Sequence, residues 1–310
     1  MVSGLSAWIG AAREQAERER ARAARAAAIA HRHEELVTTG SDAMRAVHER
    51  LARIHRRSED RHLTAAKLHD VHIRRLGRWI SPDALEAERP RLIAAVAELL
   101  GTRSAGITLL DSRQIEASVI SSDPLAAAAQ DLELTLGEGP VHDSTTTGRP
   151  VVVAAQSLRH RWQYYSPAIA ALGVRSLAVV PLGPPERCIG ALAVFDPPGP
   201  ASAEPLVGEL EEFADALTHT MLLTEECLAR LLEEGETAGA ANVLDSPNHR
   251  LVLHQAVGMV AAQCDCSVDD ALILIRARAF AHDEQVTDVA RRIVEKRLRL
   301  DVREERTFDE

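Results

Sequence analysis

The residues of this 310-residue chain best suited to chemistry are its 13 histidines and four cysteines. His48, His55, His62 and His69 recur every seven residues in a stretch that reads as helix. That spacing sets imidazoles about 10 Å apart along a helix axis, too far to share one metal ion. Counted from Met44 as the first heptad position, they fall beside an apolar seam, where polar side chains are usual, and a solvated flank is the simple reading. The sharper reading is a pH-sensitive parallel dimer in which Arg50 and Arg57 face the His55 and His62 positions of a second copy. Protonated histidine beside arginine is repulsive, which lowers the histidine pKa.

The cysteines offer less. Cys264 and Cys266 are two ligands without two more nearby, and Cys188 and Cys227 belong to other stretches. They read as helix-end residues, not as a metal or redox pair. Four cysteines form no disulfide framework in a chain this long, so a reducing cytoplasm is expected. HExxH, P-loop, GxSxG and Cys-x-x-Cys patterns are all missing. No catalytic residue, metal or cofactor is therefore expected, and the chain does not read as an enzyme.

The elements that would position these residues differ along the chain. The net charge of −10 is uneven: residues 13–78 hold 16 Lys and Arg against 10 Asp and Glu, whereas residues 79–247 hold 10 against 24. Residues 248–303 are close to balanced, with 9 against 8. The acidic middle is a poor nucleic-acid surface; the two ends remain candidates. No apolar run reaches the roughly 18 residues that span a bilayer, so no membrane partner is expected.

Residues 1–78 read as a helical, coiled-coil dimerisation region. Helix formers run unbroken from Ala11 to Val37, "TTGSD" interrupts, and Met44, Val47, Leu51 and Ile54, then Ala65 and Leu68, fit a seam of alternating steps of three and four that is interrupted at Ser58 and Arg61. Residues 79–235 alternate short β-rich runs ("GITLLDS", "IEASVISS", "PVVVAA", "SLAVVPL", "CIGALAVFD") with helices. This α+β pattern predicts a mostly antiparallel sheet. Ser81 and Pro82 mark a helix start before it, and a long helix after Pro205 runs to about Glu234. Residues 236–247 are a linker, residues 304–310 an acidic tail, and residues 248–303 a three-helix bundle. Its first two helices are expected at about 248–263 and 267–281, with Ser267-x-x-Asp270 capping the second, and a third amphipathic helix carries Val286, Val289, Ala290, Ile293 and Val294.

Two family resemblances follow from quoted motifs. "HQAVGMV" (254–260), "SVDDALILIRARA" (267–279) and "VTDVARRIVEKRL" (286–298) resemble the ANTAR family, the RNA-binding output module of bacterial transcription antiterminators. "LTLGEGPVHDSTTTGRPVVV" (134–153), Trp162, "GVRSLAVVPL" (173–182) and "IGALAVFD" (189–196) resemble a GAF sensor domain of the actinobacterial GAF-ANTAR order. The chain departs from ANTAR in two places. Val257 stands where the family carries Lys, and Leu272 where it carries an aromatic ring. The cyclic-nucleotide signature Asn-Lys-x-Phe is also missing.

These resemblances imply fold, partners and candidate residues. The fold expected is α+β and multidomain: N-terminal coiled coil, GAF-type antiparallel sheet with flanking helices, and C-terminal ANTAR bundle. An unidentified small-molecule or other signal is expected at the GAF domain, with His142, Arg149 and Trp162 as pocket candidates beside a packing role. Gly137, Gly139 and Pro140 read as a tight turn before a roofing helix. For RNA the candidates are Arg250, His254, Gln255, Gly258, Arg276, Arg278, Arg292, Lys296 and Arg299. Arg292, Lys296, Arg299 and Arg303 would make one basic stripe along the third helix, equally a solvated face by charge alone. Gly258, costly inside a helix, is read as a point of close approach by a neighbouring helix or an RNA backbone.

The function expected is a cytoplasmic, homodimeric, signal-responsive regulator that binds paired RNA stem-loops and acts by transcription antitermination. The alternative is a GAF sensor or adaptor whose bundle makes protein contacts. A GAF-type sulfoxide reductase would need neighbouring cysteines, and Cys188 is the only one before the terminal helix of that domain.

Overall fold

The computed structural model describes residues 2–79, 90–111, 114–154, 157–158, 161–183, 187–197, 204–222, 249–282 and 284–300. In chain order these form α1 (Val2–Thr39), α2 (Arg45–Trp79), α3 (Ile93–Leu100), β1 (Ser104–Leu110), β2 (Glu116–Ser121), α4 (Pro124–Leu136), α5 (Pro140–Thr147), β3 (Val151–Val153) and α6 (Tyr165–Ala171). There follow β4 (Leu177–Leu182), β5 (Gly190–Phe195), α7 (Glu204–Leu222), α8 (His249–Cys264), α9 (Val268–Ala281) and α10 (Val286–Val294). They fall into two compact units. One combines residues 1–102 with 203–245, the other residues 103–202 with 246–310.

In the first unit α1 and α2 fold back on each other as an antiparallel hairpin. Ala12, Ala16, Glu19, Ala23, Ala26 and Ala30 are buried at alternating steps of four and three, so one face of α1 is a stripe of small residues. Small side chains let the helix backbones approach closely. On α2 the facing stripe contains Ala52, His62, Ala66 and His69, all buried. His62 and His69 thus lie inside the hairpin, whereas His48 and His55 are half-buried at its flank. His33 of α1 stacks on His48 and His55, with ring centroids 5.3 and 6.0 Å away. The facing partner is α1 of the same chain, which replaces the expected Arg–His facing of a parallel dimer.

The expected apolar seam divides. Ala65 and Leu68 are buried, but Met44 and Val47 are exposed and Ile54 is 50% exposed. Helix α7 joins the hairpin through Arg61 Nε, which donates to Asp215 Oδ2 at 2.9 Å. His219 meets His62 edge-on, with centroids 4.8 Å apart. Leu206, Leu210 and Leu217 of α7 are buried. Helix α3 is tied to α2 by Glu98, which accepts from Arg75 and Arg78 at 2.8 Å. The expected start at Ser81 and Pro82, the extension of α7 to Glu234, the linker 236–247 and the tail 304–310 lie outside the described residues.

In the second unit the five β-rich runs form one antiparallel sheet in the order β2-β1-β5-β4-β3. Cross-strand partners share a face, so Ala193 with Val179, and Phe195 with Leu177, point to one side. There they join Val151, Val153, Trp162, Tyr165 and Ile169 in a buried core roofed by α4 and α6. Leu192, Val194, Val180 and Ile107 are buried on the opposite face. The central strands are therefore buried on both sides, which explains their continuous apolar runs.

Helices α8, α9 and α10 form the predicted bundle around Leu253, Ala256, Val257, Val260, Ile275 and Ile293. Ser267 caps α9, its Oγ accepting from Asp270 N at 3.1 Å. Helix α10 stops at Val294, short of Lys296 and Arg299, the residues expected on it. Lys296 adopts φ 58°, a left-handed turn that a continuing helix excludes.

Candidate functional site

The roof of the sheet is built from "LELTLGEGP". Gly137 ends α4 in the left-handed conformation. Gly139 has φ 155°, and a Cβ there would sit 2.5 Å from Glu133 Cδ. Only glycine leaves room for that carboxylate. Glu133 uses the space to cap α5, accepting from His142 N at 2.7 Å. Pro140 begins α5, as the motif predicts. Glu138 caps the neighbouring turn, its Oε1 accepting from Tyr164 N at 2.6 Å and Tyr165 N at 3.0 Å. Carboxylates at helix N-termini satisfy orphan N–H groups and favour the dipole.

Burial raises the Glu133 pKa well above the usual carboxylate value, against the backbone hydrogen bonds that lower it. Tyr165 is buried beneath the roof, and its pKa is likewise raised, first by burial and then by Glu133. The interior between roof and sheet is occupied by Leu158, Trp162, Tyr165 and Ile169.

The three pocket candidates separate. Trp162 is buried in this core, its Nε1 donating to Asp143 Oδ2 at 3.3 Å and its ring 5.7 Å from that of Tyr165. His142 and Arg149 are exposed. Arg149 contributes its carbonyl, which accepts from Ser144 Oγ at 2.9 Å. Asp143 also accepts from Arg161 Nη2 at 3.3 Å, and that guanidinium lies 5.1 Å from the Trp162 ring centre. A Trp–Asp–Arg cluster thus sits at the roof edge.

The RNA candidates are equally dispersed. Gln255 and Gly258 are exposed on α8, and a Cβ added at Gly258 would meet nothing within 4 Å. No neighbouring helix presses on Gly258 among the described residues, so that half of its reading is removed. His254 Nε2 donates to Glu116 O of β2 at 3.1 Å. Arg276 lies half-buried on α9, with Nη1 3.4 Å from the Cβ position of Gly137. Arg278 is half-buried.

On α10, Arg292 pairs with Glu284. Lys296 and Arg299 are exposed beyond the helix end, so the continuous stripe expected along the third helix is not formed. The Arg250 side chain and Arg303 lie outside the described residues. Val257 and Leu272, the two departures from the ANTAR pattern, are both buried in the bundle core. Any residue at position 257 with this backbone begins in the apolar interior.

The GAF domain family matches residues 85–221. The chain contains a GAF domain. Its sheet is the five-stranded antiparallel one described above, and such domains typically sense small molecules or other signals. Solved structures similar to this chain include the GAF domain of an Acinetobacter phosphoenolpyruvate-protein phosphotransferase, at 16% identity over 51% of this chain and 95% of that one, TM-score 0.31. A second is an N-acylhomoserine lactone dependent LuxR family transcription factor from Burkholderia cenocepacia, at 19% identity over 54% and 98%, TM-score 0.36. A third is the free methionine-R-sulfoxide reductase from Neisseria meningitidis, at 20% identity over 54% and 92%, TM-score 0.32. No curated protein matches the chain.

Within the GAF domain, sequence reasoning missed Glu133, Glu138 and Asp143. Their signal was faint: acidic residues flanking a Gly-x-Gly-Pro turn, whose capping partners arrive from up to 27 residues away. Among the described residues, no group of three or more His, Cys, Asp and Glu is placed to hold a metal ion. No described helix is long and apolar enough to cross a membrane.

Proposed function

We propose that this chain is a cytoplasmic, signal-responsive regulator, without enzymatic activity, that binds structured RNA and acts by transcription antitermination. The observation that carries the reading is the C-terminal bundle. Three helices of the expected order, with the Ser267 cap in place, follow a GAF domain in one chain. In this reading a homodimer presents two ANTAR-type bundles to paired stem-loops, holding an RNA fold that excludes a terminator hairpin. The exposed Gln255, Gly258, Lys296 and Arg299 would meet the RNA, with arginine and lysine supplying salt-dependent affinity and unstacked bases the specificity. The signal would act at the GAF roof, near the Asp143–Arg161–Trp162 cluster.

One observation favours the second reading, a GAF adaptor that makes protein contacts. Ile273 and Phe280 of α9 are 59% and 57% exposed, an apolar face suited to a protein partner. Gel-shift titration of the full chain with a synthetic RNA of two adjacent hairpins, at two salt concentrations, separates the readings. Binding that weakens steeply with salt supports the regulator; binding absent at both concentrations, in the wild type and in a Leu134→Asp variant that loosens the bundle from α4, supports the adaptor.

A further inference from the structure

The C-terminal bundle is not a free appendage of the second unit. Its core includes Leu134, a residue of α4, buried among Leu253, Val257, Ile275 and Ile293. Ile115, just before β2, packs against the same cluster. Strand β2 is the outer strand of the sheet among the described residues. Helix α8 lies on it, and His254 Nε2 donates to its Glu116 carbonyl at 3.1 Å. At the end of α4, Arg276 approaches Gly137. Further along α9, the Phe280 ring meets Tyr164 of the GAF roof edge-on, with centroids 5.6 Å apart.

Helix α4 therefore serves two cores at once. Leu125, Ala126, Ala129, Leu132 and Leu136 pack on the roof side of the sheet, while Leu134 is built into the bundle. A displacement of α4 by a change under the roof must be felt by the bundle, because packed interiors do not deform continuously.

We propose that this contact is an autoinhibitory dock. The GAF domain holds the bundle through α4 and β2, and in doing so it occupies His254 and Arg276, two of the residues assigned to RNA. Release of the bundle from α4 exposes that face. The proposal rests on the RNA reading for what the released face binds, but the dock itself does not.

The test uses the full chain carrying Leu134→Asp and, separately, Ile115→Asp, which leaves α4 untouched. Hydrogen exchange is followed alongside affinity for the two-hairpin RNA. Protection of β4 and β5 reports that the sheet has folded in each variant. The dock predicts at least tenfold faster exchange in β2 and α8 with β4 and β5 unchanged, and RNA affinity at least tenfold tighter than wild type. Unchanged exchange in β2 and α8 in both variants overturns the dock. Faster exchange with RNA affinity equal to wild type overturns autoinhibition. Faster exchange with no RNA bound by any form supports the dock and overturns the RNA reading instead.

Discussion

Glu19 Oε2 lies 2.6 Å from His62 Nδ1, and both side chains are buried between α1 and α2. Arg22 Nη1 donates to the other carboxylate oxygen at 2.7 Å, so Glu19 ties both helices from inside an alanine-lined seam. Removing the carboxylate leaves the buried His62 ring nitrogen without its partner. Glu19→Ala should destabilise the first unit by about 2 kcal/mol. Adding His62→Leu should recover part of the loss, because an apolar residue then replaces the stranded ring. Urea denaturation of the two variants and the double mutant measures the coupling.

A second expectation concerns acid. His219 is shifted down to about 4, first by burial and then by Arg61 and His62. Burial is also the main cause lowering His33 and His69. A histidine lowered in the folded state takes up its proton later than the unfolded chain does. Its neutral form therefore supports the fold fully above about 6.5, and that support is lost as pH falls toward 4. Thermal melts should show the first unit weakening across this window, and His219→Leu should flatten the slope. A melting temperature constant from pH 7 to pH 4 would remove the histidine seam from the acid response.

The roof behaves in the opposite sense. Burial raises Glu133 in the folded state, so its contribution is full below about 4.5 and declines as pH rises through the raised value. Glu133→Gln keeps an oxygen for His142 N and discards the poorly solvated charge. At pH 7 it should raise the stability of the second unit by about 1 kcal/mol, with no gain at pH 4. Melts of the variant at the two pH values decide this.

Gly258 gives a discriminating substitution. With open space where a Cβ would go, Gly258→Ala should stabilise α8 by about 1 kcal/mol. If the RNA backbone passes over this glycine, the same change should weaken binding to the two-hairpin RNA at least tenfold. Higher stability with unchanged RNA affinity would leave the glycine without a binding role.

Much of the architecture was readable from local pattern. Each of the five β-rich runs became a strand, because alternation, β-branched residues and Gly or Pro boundaries agree along each of them. The Ser267 cap was equally local, since its partner lies three residues on. The histidine heptad was visible as a period but not as a seam. Heptad position alone does not say whether the facing helix belongs to a second copy or to α1, forty residues earlier.

The basic stripe failed for a related reason. Steps of four and three align side chains only while the helix lasts, and α10 ends at Val294 in a turn through Lys296. The sequence by itself determined the order of elements, the α+β class and the motifs of the GAF domain, because these depend on short-range periodicity and turn chemistry. Only the tertiary structure decided that Trp162 belongs to a core, that Val257 faces inward, and that Leu134 of α4 completes the bundle. Those facts depend on which surfaces meet across long chain separations, and burial of apolar area, which drives such meetings, has no direction along the sequence.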